Sequence, residues 1–183
     1  MGLDHHPPTL REFPRTPLLL AGDPDYRKTQ LLQVFGPNLH EVEKPENLNT
    51  SSQRWYKLLF KPGFSEQELL QAGGWIDVRD VAAAHVVALE NAEAGNERIL
   101  LSAPSTPNQE FIEAAKKAAA SLGIEGVQTG IANYDRSNVK GFVRYNEEKR
   151  DKVLGIKITS VEDSVRDSLV DFKARGWIPA TSA

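Results

Sequence analysis

Apolar and polar positions alternate irregularly up to about residue 33 and then settle into regular periods. "MGLDHHPPTLREFPRTP" carries four prolines, and "GDPDYRKTQ" is polar throughout. Proline removes a backbone donor and breaks both helix and ladder, so residues 1–33 read as an irregular arm. One short strand is predicted there, at Pro17–Ala21.

From Val34 the pattern becomes that of a folded domain. "VFGP" predicts a strand end closed by Gly36 and Pro37. Asn49, Thr50 and Ser51 are cap-type residues before "QRWYKLLF", a helix with Trp55, Leu58 and Leu59 on one side. "KPGFSEQELLQAGG" reads as a loop and "WIDV" as a short buried strand. Asp80 is the predicted cap of "VAAAHVVALENA", an alanine-rich helix ending near Gly95. "ERILLS" reads as the next strand. Thr106 and Pro107 then open a helix that Gly123 stops. "GVQTGIA" is a further predicted strand, and "YNEEKRDKVLG" a short helix closed by Gly155. The last helix runs from a capping box, Ser160 with Asp163, to Lys173, Arg175 and Gly176. Strands and helices in alternation predict an α/β domain with mostly parallel strands.

Composition narrows the chemistry. The 183 residues suit one domain. There are 22 basic and 25 acidic residues, for a net charge of −3, and general nucleic-acid binding wants the opposite excess. The absence of cysteine excludes disulfides, thiolate catalysis and Cys-ligated zinc. No apolar stretch reaches the roughly 18 residues of a membrane span, and "TPLLLAG" lacks the pattern of a signal peptide. A cytoplasmic location without a membrane partner is the expectation.

The usual motifs of nucleotide and hydrolytic sites do not occur. There is no Gly-x-Gly-x-x-Gly turn, no phosphate-binding loop ending in Gly-Lys-Ser/Thr, no Gly-x-Ser-x-Gly elbow and no His-Glu-x-x-His. The pair His5-His6 reads as solvated, because a metal centre needs three or four converging ligands. Asp77, Arg79 and Asp80 admit a paired-carboxylate reading, but a capped helix start explains them more simply. His85 reads as a packed core histidine. Tyr145 and Lys149 have the four-residue spacing of a proton-transfer pair.

In order along the chain, "VFGP", "LNTSS", "GGWIDVRDVAAAHVVALEN", "ERILLS" and "EEKRDKVLGIKITSVEDSVRDSL" resemble the second half of an extended short-chain dehydrogenase. The branch is the NAD(P)-dependent epimerase/dehydratase family, within its dihydroflavonol-reductase-like group. The resemblance spans about Val34 to Gly176. It implies the C-terminal, substrate-lobe half of a Rossmann-type fold with an incomplete doubly wound sheet. The family reduces a ketone or aldehyde with NADPH, usually in secondary metabolism. Its glycine-rich turn and its catalytic Tyr-x-x-x-Lys lie upstream of the Val-Phe-Gly-Pro element. Here Tyr26 is followed four positions on by Gln30, and Gln30-Leu31 stand where the family has Asn-Pro.

The resemblance therefore implies no catalytic residue in this chain. It places Gly36, Pro37 and Ser51 beside the cofactor. Asn49, Thr50, Trp55 and Tyr56, with the loop from Phe60 to Gly74, fall in the lobe that receives the substrate. Tyr145 then belongs to a later segment, at the end of a strand, and is no partner of Lys149. Three expectations stay open: a truncated reductase that is inactive alone and binds NADPH poorly, a non-catalytic module whose exposed sheet takes a protein partner, or a truncated reading frame that folds poorly.

Overall fold

A computed structural model describes residues 33–95, 97–139 and 142–179. The predicted strand at Pro17–Ala21 and the His5-His6 pair lie outside the described residues. Three strands form one sheet in the order β1 (Gln33–Phe35), β2 (Ala72–Asp77), β3 (Ala103–Pro107). β1 runs parallel to β2, and β3 runs antiparallel to it. The expectation of a mostly parallel sheet thus holds for one of the two pairings. Among the described residues six α-helices accompany the sheet: α1 (Thr50–Phe60), α2 (Glu66–Leu70), α3 (Val78–Glu90), α4 (Asn108–Leu122), α5 (Glu148–Val153) and α6 (Val161–Ala174).

The core lies between the sheet and α1, α4 and α6. The period of 3.6 puts Phe111, Ile112, Ala115 and Ala119 on one face of α4, and Val165, Leu169 and Phe172 on one face of α6. Both faces are buried. Phe35 stacks on Trp55 with ring centroids 4.4 Å apart, and Phe111 meets Phe35, Trp55 and Trp75 edge-on at 5.1–5.6 Å. Such ring pairs add about 0.5–1.5 kcal/mol beyond the area they bury.

Capping sets most helix ends. Asn49 Oδ1 accepts from the amide of Ser52 at 3.0 Å and opens α1. Gly123 closes α4 in the left-handed region (φ 60°), where a Cβ would be strained. Ser160 Oγ accepts from the amide of Asp163 at the start of α6. The "loop" after α1 contains α2, held by a capping box between Ser65 and Glu68. Its apolar signal is only Leu69-Leu70, too short to show a period.

Four other boundaries move. The cap of α3 is Asp77, not Asp80, because β2 ends there and turns straight into the helix. α3 stops at Glu90, and a separate single turn covers Ala92–Ala94. Thr106 and Pro107 belong to β3, and α4 begins at Asn108. "ERILLS" forms no ladder; Glu97–Ser102 precedes β3, which is the sequence Ala-Pro-Ser-Thr-Pro. Among the described residues β3 pairs only with β2, so its prolines withhold no ladder hydrogen bond on the outer side there. Gly73 and Gly74 allow the register irregularity opposite it.

"GVQTGIA" is not a strand either. It serves the helices: Gln128 donates from its amide to Leu59 O (2.8 Å) and from its side chain to Leu58 O (2.8 Å), satisfying carbonyls at the end of α1. Further on, the amide of Ile131 donates to Gln109 Oε1 of α4. The helix α3 is clasped at its start and loose beyond. Asp80 accepts from the amide and hydroxyl of Thr159. Past Ala84, Val86 is 55% and Leu89 89% exposed, and His85 is exposed too, with Nδ1 2.7 Å from Val81 O. His85 is not a core histidine: α3 has no layer packed over that face among the described residues.

Candidate substrate pocket

A cavity of about 680 Å³ opens where the end of β1, the start of α1, the first half of β2 and the β3–α4 junction meet. Asn49, Thr50 and Ser51 stand together on one wall, as the sequence grouped them. Arg54 follows three residues after Ser51 and four after Thr50, so the helix brings it to the same wall. Phe35, Trp75 and Phe111 supply the apolar side. Gln71, Gly73 and Gly74 line the β2 side, and Thr106 and Asn108 the α4 side.

Part of the polar lining is already oriented. Asn49 Oδ1 is held by Ser52 N and by Ser51 Oγ at 3.1 Å, which leaves the Asn49 amide NH2 as its spare donor. Trp75 Nε1 donates to Thr106 Oγ1 at 3.0 Å, and that hydroxyl donates to Pro104 O. Asn108 Nδ2 donates to Glu68 O and ties α4 to α2. Arg54 is the one ionisable residue among those lining the cavity. The pocket can therefore orient a carbonyl compound by hydrogen bonds and an aromatic wall. A guanidinium does not give up its proton in a protein, so the lining offers no general acid.

The remaining sequence candidates lie elsewhere. Trp55 and Tyr56, expected in the substrate lobe, are core residues and do not line the cavity. Trp55 is 1% exposed, stacks on Phe35 and donates to Ser168 Oγ at 3.0 Å. The Tyr56 hydroxyl donates to Trp177 O at 2.6 Å, and burial first, with Glu46 nearby, raises its pKa above the ordinary value. Their positions follow from α1: the residues three and four after them, Leu58, Leu59 and Phe60, continue the buried stripe. Gly36 and Pro37 also lie off the cavity lining. Gly36 has φ 116°, and a Cβ there would stand 2.8 Å from Asp77 Oδ2. The turn it makes is fixed to α6: Asn38 N donates to Asp171 Oδ2, and Arg175 donates to Asn38 O.

The acids of "WIDVRD" are structural. Asp77 is fully buried, caps α3 through the Arg79 amide at 2.9 Å, and pairs with the Arg79 guanidinium, which also reaches Asp167 of α6 at 2.5 Å. Burial pushes the Asp77 carboxyl up, but the Arg79 hydrogen bonds outweigh it, so it titrates below the usual carboxylate range. Tyr145 precedes α5, in neither helix nor strand, so it shares no helical face with Lys149; the lysine pairs with Glu97 at 2.5 Å. Sequence reading missed Arg54, Gln71, Trp75, Thr106, Asn108 and Phe111 as lining. The i+3/i+4 spacing of Arg54 from Ser51 and Thr50 was the available signal.

A dinucleotide cofactor needs bare backbone donors at a strand-to-helix turn for its pyrophosphate. The β2–α3 turn presents the buried Asp77 carboxylate to those donors instead, and the β3–α4 turn places Pro107, which has no N–H, at the cap. The described residues do not fit the whole cofactor.

A partial mixed sheet flanked by helices, with a cavity beside its first strand, is part of a Rossmann-like fold, and the comparisons with known proteins agree. No family model matches the chain. It is 31% identical over 136 residues to GRP2 of Candida albicans, whose name gives it provisionally as an NADPH-dependent methylglyoxal reductase; the match covers 74% of this chain and 39% of that protein. It is 28% identical over 137 residues to the ketoreductase azaE of Aspergillus niger, covering 74% and 40%. The crystal structure of Candida albicans Gre2 in complex with NADPH superposes with a TM-score of 0.62 at 32% identity, over 78% of this chain and 41% of that one. The chain is thus a homologue of NADPH-dependent reductases of the extended short-chain dehydrogenase family. It spans about two fifths of the length of the curated relatives it matches.

Proposed function

We propose that residues 34–183 are the substrate lobe of an NADPH-dependent carbonyl reductase, and that the cavity beside β1 receives the ketone or aldehyde. The observation that carries this reading is the convergence of Asn49, Thr50 and Ser51 with Phe35, Trp75 and Phe111 on one cavity in a fold shared with such reductases. In this reading Ser51 faces the nicotinamide end of the cofactor, Asn49 and Thr50 meet the substrate, and Gly36 and Pro37 hold the turn beside them. Hydride transfer and the proton donor come from residues outside 34–183.

The chain alone is then without reductase turnover. NADPH oxidation followed at 340 nm with a panel of ketones and aldehydes tests this. No rate above the blank is expected; clear turnover by the isolated chain would falsify the assignment of catalysis elsewhere.

A second reading, a module that docks on another protein, is favoured by the exposed apolar side of α3, with Val86 and Leu89, and by β1, which pairs on one side only among the described residues. Light scattering separates the two: a strictly monomeric chain over a wide concentration range removes self-association as the use of that face.

A further inference from the structure

We propose that the cavity selects carbonyl compounds that carry a carboxylate, with Arg54 as the group that recognises it. This deepens the carbonyl-pocket reading and rests on it. The first observation is charge. The chain has 25 acidic residues, yet none lines this cavity, and its single charged lining residue is a cation. The second is an unmet hydrogen bond. Arg54 Nε is buried and has no partner, and no ion pair to Arg54 is formed among the described residues. The terminal NH2 groups of the guanidinium likewise carry no internal acceptor among the described residues, so a ligand acceptor would meet no competitor there.

No hydrogen bond or ion pair joins Glu68 to the guanidinium among the described residues. Glu68 feels the charge of Arg54, but its carboxylate is held first by the Ser65 amide at 2.8 Å, then by the Ser65 hydroxyl at 2.8 Å, and is fully exposed. The rest of the lining suits the same class of molecule. Phe35, Trp75 and Phe111 offer an aromatic wall, and the spare donor of Asn49 lies on the same helix end as Arg54. An arginine presents a planar fork that matches a carboxylate in two hydrogen bonds, whereas an uncharged ketone gives it one weak acceptor. The ligand class is accordingly a 2-oxo acid with an aromatic or bulky apolar group.

The experiment compares two probes by isothermal titration with the full chain: phenylpyruvate, and benzyl methyl ketone, in which a methyl replaces the carboxylate. A charge-assisted hydrogen bond predicts a preference of about 10- to 100-fold for phenylpyruvate, shrinking as salt is raised. Arg54→Met should bring the two affinities together, and Arg54→Lys should restore part of the difference. Equal binding of both probes by the wild-type chain overturns the carboxylate assignment and leaves the carbonyl pocket standing. Binding of neither overturns both readings. Arg54→Gln serves if Arg54→Met fails to fold, and a preference that survives the loss of the guanidinium assigns recognition to another group. Displacement of phenylpyruvate by equimolar inorganic phosphate or NADPH, dependent on Arg54, would move the arginine to a phosphate and refute the proposal.

Discussion

Gly36 shows how one residue serves two neighbours. Its positive φ turns the chain out of β1, and its missing Cβ leaves room for the buried Asp77 carboxylate. Gly36→Ala should cost about 1–3 kcal/mol from left-handed strain and the displaced acid, read as a lower thermal midpoint with fold retained. Asp77 carries a pH dependence of known sign. Its pKa is lowered in the folded chain, so its contribution is complete above the unfolded carboxylate value of about 3.9 and is lost as pH falls through the folded value. Asparagine caps a helix as well as aspartate does, so Asp77→Asn should lose only the partly exposed ion pair, about 1 kcal/mol at pH 7, read as a lower thermal midpoint. The two proteins should converge in strong acid. An unchanged gap at pH 2 would show that the carboxylate charge is not the source.

At the scale of elements, the packed and unpacked helices should respond differently. Leu169 on α6 is fully buried, and Leu169→Ala should cost about 2–5 kcal/mol in denaturant melts. Leu89 on α3 stands in solvent, and Leu89→Ser should stay within about 0.5 kcal/mol of the wild type. A large loss at Leu89 would mean that something covers α3 in solution.

The same contrast explains what could be read from the chain. Helices α1 and α6 were legible from cap and stripe, Asn49 before Trp55 and Ser160 before Val165, and α4 from stripe and stop, with Gly123 after Ala119. The short α2 carried its capping box in Ser65 and Glu68, but two leucines make no period. "ERILLS" has strand composition and lies in no ladder, since a strand depends on a partner that local sequence does not specify. Of the pocket, the Asn49–Ser51 wall was visible as a cluster. Trp55 and Tyr56 were placed in the substrate lobe by the family resemblance, which locates a segment but not which of its side chains face the core. Trp75 and Phe111 reach the cavity from different elements, which no spacing rule connects.

For the whole molecule, the fold matches about two fifths of the length of its reductase relatives, and one side of α3 stands open among the described residues. The fold still has a continuous core from Phe35 through Trp55, Phe111, Leu169 and Phe172. A single sharp transition, coincident in far- and near-ultraviolet circular dichroism, is expected. A broad melt without near-ultraviolet signal would instead describe a chain whose side chains never lock.

The anchors from α6 and the segment after it carry a consequence for how the lobe is made. Asp171 holds the turn after Gly36 across 133 residues, Ser168 holds Trp55 across 113, and Trp177 holds Tyr56 across 121. Contacts this distant along the chain are closed late and slowly, because the intervening loop entropy comes first. On the ribosome, β1 and α1 emerge long before α6 and wait without their ties. The cavity is therefore an end product of synthesis. A nascent chain stalled before Val161 would expose the Phe35–Trp55 stack to chaperones and proteases.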